Sequence, residues 1–528
     1  MVNQAQKGAR EGNRYIDTRG QSPKPLEFSE VIIQGLAQGG GLFVPVTLPR
    51  LTLDDILDLS QMPYAAQGAR IYEHFEVDFA ADQIASLMTQ AYGRNFDDPA
   101  IAPLVSLDEQ THVLELWHGP TAAFKDMALQ CLPHFFSAAL ARQAEAGSPP
   151  PDQLILVATS GDTGSSALEG FKDRDHVGII TFYPDGGVSD IQWRQMATAA
   201  GSNVGAFGLR GNFDDCQTSV KAAFSDAAFN ERLLREHQVS LSSANSINWG
   251  RLLPQVVYYV SAYARLVASG RLQAGEELDV CVPTGNFGNI LAAWYAREIG
   301  TPIGQLYCAS NENHVLTDFI NTGVYDISQR SFKLTPSPSM DILISSNLER
   351  QLFELNGRDP EVICQWMAGL REQGRFEVDS ETFDYLQADF RADWVTSDDG
   401  LATIRQVYEK YGYLLDPHTA IAYQVAERLR DHKQKPILVV ATAHWAKFAA
   451  NVAKSLLGIT VDQDLPAELR DLSGLALNDW LCERYDGLTI PATLAALGDR
   501  PVQFSEICDS STQSVEATVL EWLGRKKI

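Results

Sequence analysis

Cysteine is scarce and scattered in this 528-residue chain: seven occur, none in a C-x-x-C pair. The odd number and the spacing argue against both a disulfide framework and a zinc ribbon. No uninterrupted apolar run approaches the roughly 20 residues that a helical membrane span needs. Positive charge is also short, with 42 Lys and Arg against 67 Asp and Glu, a formal net charge of −25. No Lys/Arg-rich stripe reverses that balance locally, so neither nucleic acid nor an anionic membrane is an expected partner. Any anion-binding site on such a protein must be a local exception, built from backbone N–H groups and a few chosen cations. Residues 1–13 are polar, of mixed charge and without an apolar h-region, unlike a signal peptide. A cytoplasmic protein is expected. No pair of histidines has metal-ligand spacing, and no metal centre is expected.

What the chain does have is the balance of a folded protein, 45% hydrophobic and 21% charged residues. Its length implies two to four structural units, with room for a substrate cleft between them. The first ~12 residues read as frayed. A short strand-like start at Tyr15 follows, then an amphipathic helix over 28–36 and a Gly39-Gly40-Gly41 turn before Leu42, Phe43 and Val44. The chain to about 105 is mostly helical in period, with Thr52 and Asp82 as candidate N-caps. Beyond it, apolar runs at 113–117, 154–159, 177–183, 204–209, 279–283, 303–309 and 437–442 read as strands, most followed by helical segments. That alternation predicts an α/β fold of open parallel sheets covered on both faces. The stretch 325–415 reads as an insertion, and the chain past 460 as helices with a short apolar segment or two.

Several strand ends carry polar, glycine-rich turns, where open parallel sheets bind ligands. The run 116–126 ends a strand at Gly119-Pro120, lets Thr121 cap, and puts Lys125 in the first turn of a helix. There the helix field opposes a cation and lowers its proton affinity, favouring a nucleophilic amine; from position alone a plain surface lysine is the commoner reading. Residues 159–166 set five small hydroxyls around Gly161 and Gly164, a cradle for an anion or a capped turn. Thr284-Gly285-Asn286-Phe287-Gly288-Asn289 precedes a helix and could hold a phosphate or simply turn; it is neither a P-loop nor a G-x-G-x-x-G fingerprint. In the polar run 243–251, Arg251 could clamp an anion or pair with one of the many carboxylates. Thr442 ends the last strand, where its hydroxyl could meet a heterocycle nitrogen or cap a helix. His118, His418 and His444 read as structural hydrogen bonders.

Together these segments resemble threonine synthase of the long bacterial and yeast type. The resemblance runs in order through Y-I-D-T-R-G at 15–20, G-G-L-F-V-P at 40–45, H-G-P-T-A-A-F-K-D at 118–126 and S-G-D-T-G at 160–164. It continues with S-A-N-S-I-N-W-G-R at 243–251, T-G-N-F-G-N at 284–289, N-E-N-H at 311–314, S-P-S-M-D at 337–341, D-P-H-T-A at 416–420 and T-A-H-x-A-K-F at 442–448. It implies a fold-type II pyridoxal-phosphate enzyme, tryptophan synthase β-like, with two parallel-sheet subdomains and the site between them. The implied division is an N-terminal domain at 1–105, a catalytic domain at 106–460 with the insertion, and a C-terminal helical segment at 461–528. Lys125 looks like the Schiff-base lysine, beside Phe124. Gly285, Asn286, Phe287, Gly288 and Asn289 look like the cofactor-phosphate cradle, and Thr442 like the partner of the ring nitrogen. Thr163, Asn245, Ser246 and Arg251 look like the clamp on a substrate phosphate. Ser160, Gly161 and Asp162 stand where the substrate carboxylate and the ring hydroxyl are held. Asp162 replaces an Asn common in the wider fold type, and Trp445 a Pro common in relatives. The implied reaction converts O-phosphohomoserine and water to threonine and phosphate, in a monomer or homodimer. A phospho-lyase ending in a keto acid, another fold-type II dehydratase and a non-catalytic binding protein on the same fold remain alternatives.

Overall fold

The computed structural model describes residues 12–145, 147, 150–430 and 435–526; the expected frayed start falls almost wholly outside them. Two open sheets organise the chain. The larger has six strands in the order Phe390–Trp394, Ile303–Ser310, Leu278–Pro283, Ile437–Ala441, Thr111–Glu115 and Leu104–Ser106. All its neighbours run parallel except the last pair. The smaller has five parallel strands, Ile507–Asp509, Val204–Arg210, Val177–Pro184, Asp152–Ala158 and Val239–Ser242. The strands are apolar and helices cover both faces, so Val177–Pro184 is buried at every residue. The helix Trp249–Ala268 is buried around nearly its whole circumference, as its run of Leu, Val, Tyr and Ala requires.

All seven expected strands are present in these two sheets, and four other strands of the same sheets escaped the sequence reading. Leu104–Ser106, Val239–Ser242 and Ile507–Asp509 are three or four residues long, too short to show a period. Phe390–Trp394 carries Arg391 and Asp393 and lies at the sheet's edge, where polar side chains are tolerated. The stretch 325–415 therefore supplies an edge strand of the larger sheet. The chain past 460 likewise returns to the smaller sheet, through Ile507–Asp509 and the helix Thr512–Arg525. Two capping expectations need correction. Thr52 does cap the helix Leu53–Asp58, but the helix Ala81–Ala91 starts behind Ala80, leaving Asp82 in its first turn. Thr121 does not cap the helix at Lys125; its N–H and hydroxyl both donate to the buried carboxylate of Asp126, at 2.8 and 2.7 Å.

The N-terminal segment is anchored by aromatic packing. Phe28 meets Tyr15, Tyr72, Phe79 and Phe135 with ring centroids 5.9–6.3 Å apart, and Tyr15 in turn meets Trp249 at 5.8 Å. The segment also holds the Trp249–Ala268 helix at its start. Asn248, its N-cap, donates to the carbonyl of Ile32 (2.8 Å), and Arg350 reaches both Phe43 O and Ile247 O.

The helix Asp162–Phe171 crosses the short helix Lys125–Leu129 so closely that a Cβ on Gly170 would lie 1.9 Å from Leu129 O. Gly170→Ala is therefore expected to lower stability by about 1–3 kcal/mol through overpacking. Urea unfolding checks this, and an unchanged midpoint would contradict the packing described.

Candidate active site

Lys125 sits where the two sheets' carboxyl ends face each other. The chain leaves Thr111–Glu115, turns at Ala122 with φ +54°, and is tied to the neighbouring strand's end. Phe124 N–H donates to Thr442 O (2.8 Å), and His444 N–H to Ala122 O (3.1 Å). Gly119 is required here, since a Cβ would fall 2.4 Å from Asp126 Cβ. The result is a lysine 8% exposed on the cleft floor, its Nζ 3.4 Å from Asp162 Oδ2, 3.3 Å from Ser339 Oγ and 4.7 Å from the Phe124 ring centre. Burial is the main cause that pushes its ammonium down to about 8; Arg251 and Lys447 push the same way, and Asp162 opposes them. The lowering expected from the helix field is thus present, but burial leads it, and the helix has only five residues.

Asp162 opens the helix Asp162–Phe171 behind Lys125. Burial alone would raise its carboxyl, but Lys447 at 2.8 Å and Lys125 outweigh it and hold it well below the usual range. Gln192 Nε2 (2.9 Å) and Ser339 Oγ (3.0 Å) also donate to it. Gly161, at φ +120°, makes this turn possible: a Cβ there would lie 2.4 Å from Gln192. Its N–H donates to Thr159 Oγ1, and Gly161 shapes the wall just behind the residues that line the cleft.

The cleft holds a cavity of about 170 Å³. Thirteen of the fifteen expected residues line it: Phe124, Lys125, Ser160, Thr163, Asn245, Ser246, Arg251, Gly285, Asn286, Phe287, Gly288, Asn289 and Thr442. Asp162 touches Lys125 from just behind the wall. The 284–289 turn passes through Phe287 at φ +61° into the helix Gly288–Glu298, whose first turn offers N–H groups without intrahelical acceptors. A loop packs against this turn. Ser345 Oγ donates to Gly285 O (2.7 Å), Asn347 Nδ2 to Asn286 O (2.9 Å), and a Cβ on Gly285 would meet Ser339 O at 2.8 Å. Asn289 Oδ1 accepts from Tyr258 and Tyr259, leaving its buried Nδ2 without a partner.

Arg251 lies across the cleft, 3% exposed. One Nη donates to Ala244 O (2.9 Å), Nε is buried without a partner, and burial pushes the guanidinium down to about 10. Among the described residues no carboxylate pairs with it, so the ion-pair alternative falls away. A buried cation with free donors is built for an anion.

Ser339, His418, Gln192 and Lys447 were missed as site residues. Ser339 and His418 lie in quoted motifs, but only the fold shows His418 Nε2 accepting from Ser339 N–H (3.2 Å) and Asp416 binding its Nδ1 (2.7 Å). His118 bridges Asp97 and Glu115, which together raise it to about 9 against burial's opposing pull. His444 caps with Nδ1 and is pushed down to about 3, chiefly by burial.

A buried, low-affinity lysine, an orphaned amide donor and a helix N-terminus facing one cleft between parallel sheets fit pyridoxal phosphate and define a fold-type II pyridoxal-phosphate-dependent enzyme. Known proteins agree. The family profile "Pyridoxal-phosphate dependent enzyme" matches residues 102–443, between "Threonine synthase N terminus" at 14–92 and "Threonine synthase, C-terminal" at 419–478. Threonine synthase of Pseudomonas aeruginosa is 40% identical over 460 residues, 87% of this chain and 93% of that one. The crystal structure of pyridoxal-phosphate-bound threonine synthase from Brucella melitensis superposes with a TM-score of 0.80 at 38% identity, covering 96% and 99% of the two chains. Human threonine synthase-like 1 is 44% identical over 457 residues, 84% of this chain but 60% of its own length. The chain thus spans about three fifths of those like-named relatives. The chain belongs to the threonine synthase family, and its cofactor is pyridoxal phosphate.

The neutral amine is the nucleophile in imine formation. With Lys125 at about 8, roughly a quarter is neutral at pH 7.5, against about 0.1% for an ordinary lysine. Reconstitution of cofactor-free protein, followed by visible absorbance, should accelerate with pH to a plateau with its midpoint near 8. A rate still climbing through pH 10 would contradict the assigned environment.

Proposed function

We propose that the chain is a threonine synthase, converting O-phospho-L-homoserine and water to L-threonine and phosphate, the last step of threonine biosynthesis. The observation that carries this reading is Arg251, a buried guanidinium with unused donors facing the same cleft as Lys125. The cofactor's own phosphate is provided for at 285–289, so Arg251 answers to a second anion. A dehydratase or sulfhydrylase acting on an uncharged side chain has no use for it.

In this reading Gly285, Asn286, Phe287, Gly288 and Asn289 hold the cofactor phosphate, Thr442 Oγ1 faces the ring nitrogen, and Asp162 the ring hydroxyl. Bound pyridoxal phosphate supplies an electron sink for negative charge developing at the substrate carbons. Ser160 orients the substrate carboxylate from the N-terminal end of the Asp162–Phe171 helix. Lys125 Nζ, freed when substrate binds, takes the Cα proton and then moves protons at Cβ, reaching both from one position. Arg251, with Thr163, Asn245 and Ser246, keeps the phosphate on Cγ and stabilises it as it leaves. Protons return at Cγ and, after water adds at Cβ, at Cα, which gives threonine. The reading also assigns residues 1–105 to backing the clamp, 106–460 to catalysis and 461–528 to completing the smaller sheet.

A second reading has one observation in its favour, the 44% identity with proteins named threonine synthase-like 1. On it, the same residues eliminate phosphate but the product is a keto acid. Incubation of the holoenzyme with O-phosphohomoserine, with phosphate release and amino-acid products quantified, is expected to give threonine and phosphate in equal amounts. Keto acid in place of threonine would establish the second reading, and no phosphate release would overturn both. Arg251→Ala should lower kcat/KM for this substrate about 100-fold or more, as loss of a buried charge partner costs about 3 kcal/mol or more. The bound cofactor should be retained, with its visible absorbance band still present, and loss of the cofactor would contradict the separation of the two anion sites.

A further inference from the structure

Lys447 closes the T-A-H-x-A-K-F run, in the turn Trp445–Phe448 after the strand Ile437–Ala441. Its side chain is 0% exposed, a place a lysine takes only when paired. Its Nζ lies 2.8 Å from Asp162 Oδ1 and donates to Thr121 O at 2.8 Å. A buried ion pair is a poor stability device, because desolvation of both charges offsets their attraction. Its place in the fold gives it another use.

The other oxygen of Asp162 faces Lys125. One carboxylate therefore stands between two ammonium groups, with Lys447 on Oδ1 and Lys125, 3.4 Å away, on Oδ2. The arrangement is held from both sheets. Ser189 Oγ donates to Lys447 O (2.8 Å), and Ser189 caps the helix Asp190–Ala197, whose Gln192 donates to the same Oδ1 (2.9 Å). Without Lys447, the full charge of Asp162 would act on the Lys125 nitrogen and favour its protonated form. Other charged or titratable groups face this cluster. Arg251 acts on Lys125 from the Trp249–Ala268 helix, His418 acts on Asp162 from the helix Pro417–Leu429, and Asp126 and His444 lie within range of Lys447.

We propose that Lys447 is a positioning residue that, through Asp162, sets the proton affinity of the Lys125 nitrogen in its Schiff base with the cofactor. By neutralising and orienting the carboxylate, Lys447 leaves that nitrogen easier to deprotonate than a lone Asp162 would allow. The inference rests on Lys125 carrying the cofactor, which covalent labelling decides separately.

The test is a pH titration of the holoenzyme's visible absorbance, which reads the Schiff base's protonation directly. Lys447→Met should raise the midpoint by about one pH unit or more, since a compensating positive charge is gone. Lys447→Arg, which keeps the charge, should stay closer to the parent. Asp162→Asn should move the midpoint the opposite way, downward. A cofactor-loaded Lys447→Met protein with a parental far-UV spectrum and a midpoint within ~0.3 unit of the parent overturns the proposal. If Lys447→Met does not fold, Asp162→Asn decides, because an unmoved midpoint there also overturns it. A purely structural Lys447 would change melting temperature and leave every midpoint in place.

Discussion

Everything at this site depends on keeping one amine, that of Lys125, out of water. Desolvation is what makes a lysine a competent nucleophile and base near neutral pH, and it must be imposed without leaving the charged form stranded. The fold meets both demands by placing Lys125 at the junction of two sheets. Backbone bonds to Thr442 and His444 pin its segment to one sheet, while Gly170 lets the helix from the other approach to contact. Asp162 supplies the counter-charge, and Lys447 shares it.

The second demand is the recognition of anions by a protein of net charge −25. The solution is local. In the proposed function one anion site uses a helix N-terminus and an amide, with no cation required; the other uses a buried guanidinium that pairs with no carboxylate among the described residues. The N-terminal segment, which contributes no residue of the fifteen, serves this second site. The carbonyl of Ile32 holds the N-cap of the Arg251 helix, and Trp249 packs into the aromatic cluster around Tyr15 and Phe28. Remote packing thus fixes the position of a binding group.

Much of this was legible in the sequence because it is local. Gly-rich turns after apolar runs read directly as strand ends, and thirteen of the fifteen residues named there line one cleft. What was not legible is what depends on long-range approach. The role of Lys447 appears only when the turn after one sheet's last strand meets the first helix after a strand of the other, 285 positions earlier in sequence. Gly161 carries a turn whose need for glycine, the approach of Gln192, appears only in the fold. Gln192 carries no signal of its own, since an isolated Gln fits any surface, and Ser339 stands in the S-P-S-M-D run but meets Lys125 and Asp162 only through the fold. Short strands such as Leu104–Ser106 and Ile507–Asp509 are defined by their partners and not by their composition.

The central claim is that Lys125, and no other lysine, forms the imine with the cofactor. Borohydride reduction of the holoenzyme followed by peptide mapping tests it most directly. The account predicts a single pyridoxyl-modified peptide, the one containing Lys125; modification at Lys447 or elsewhere, with Lys125 unlabelled, would contradict it.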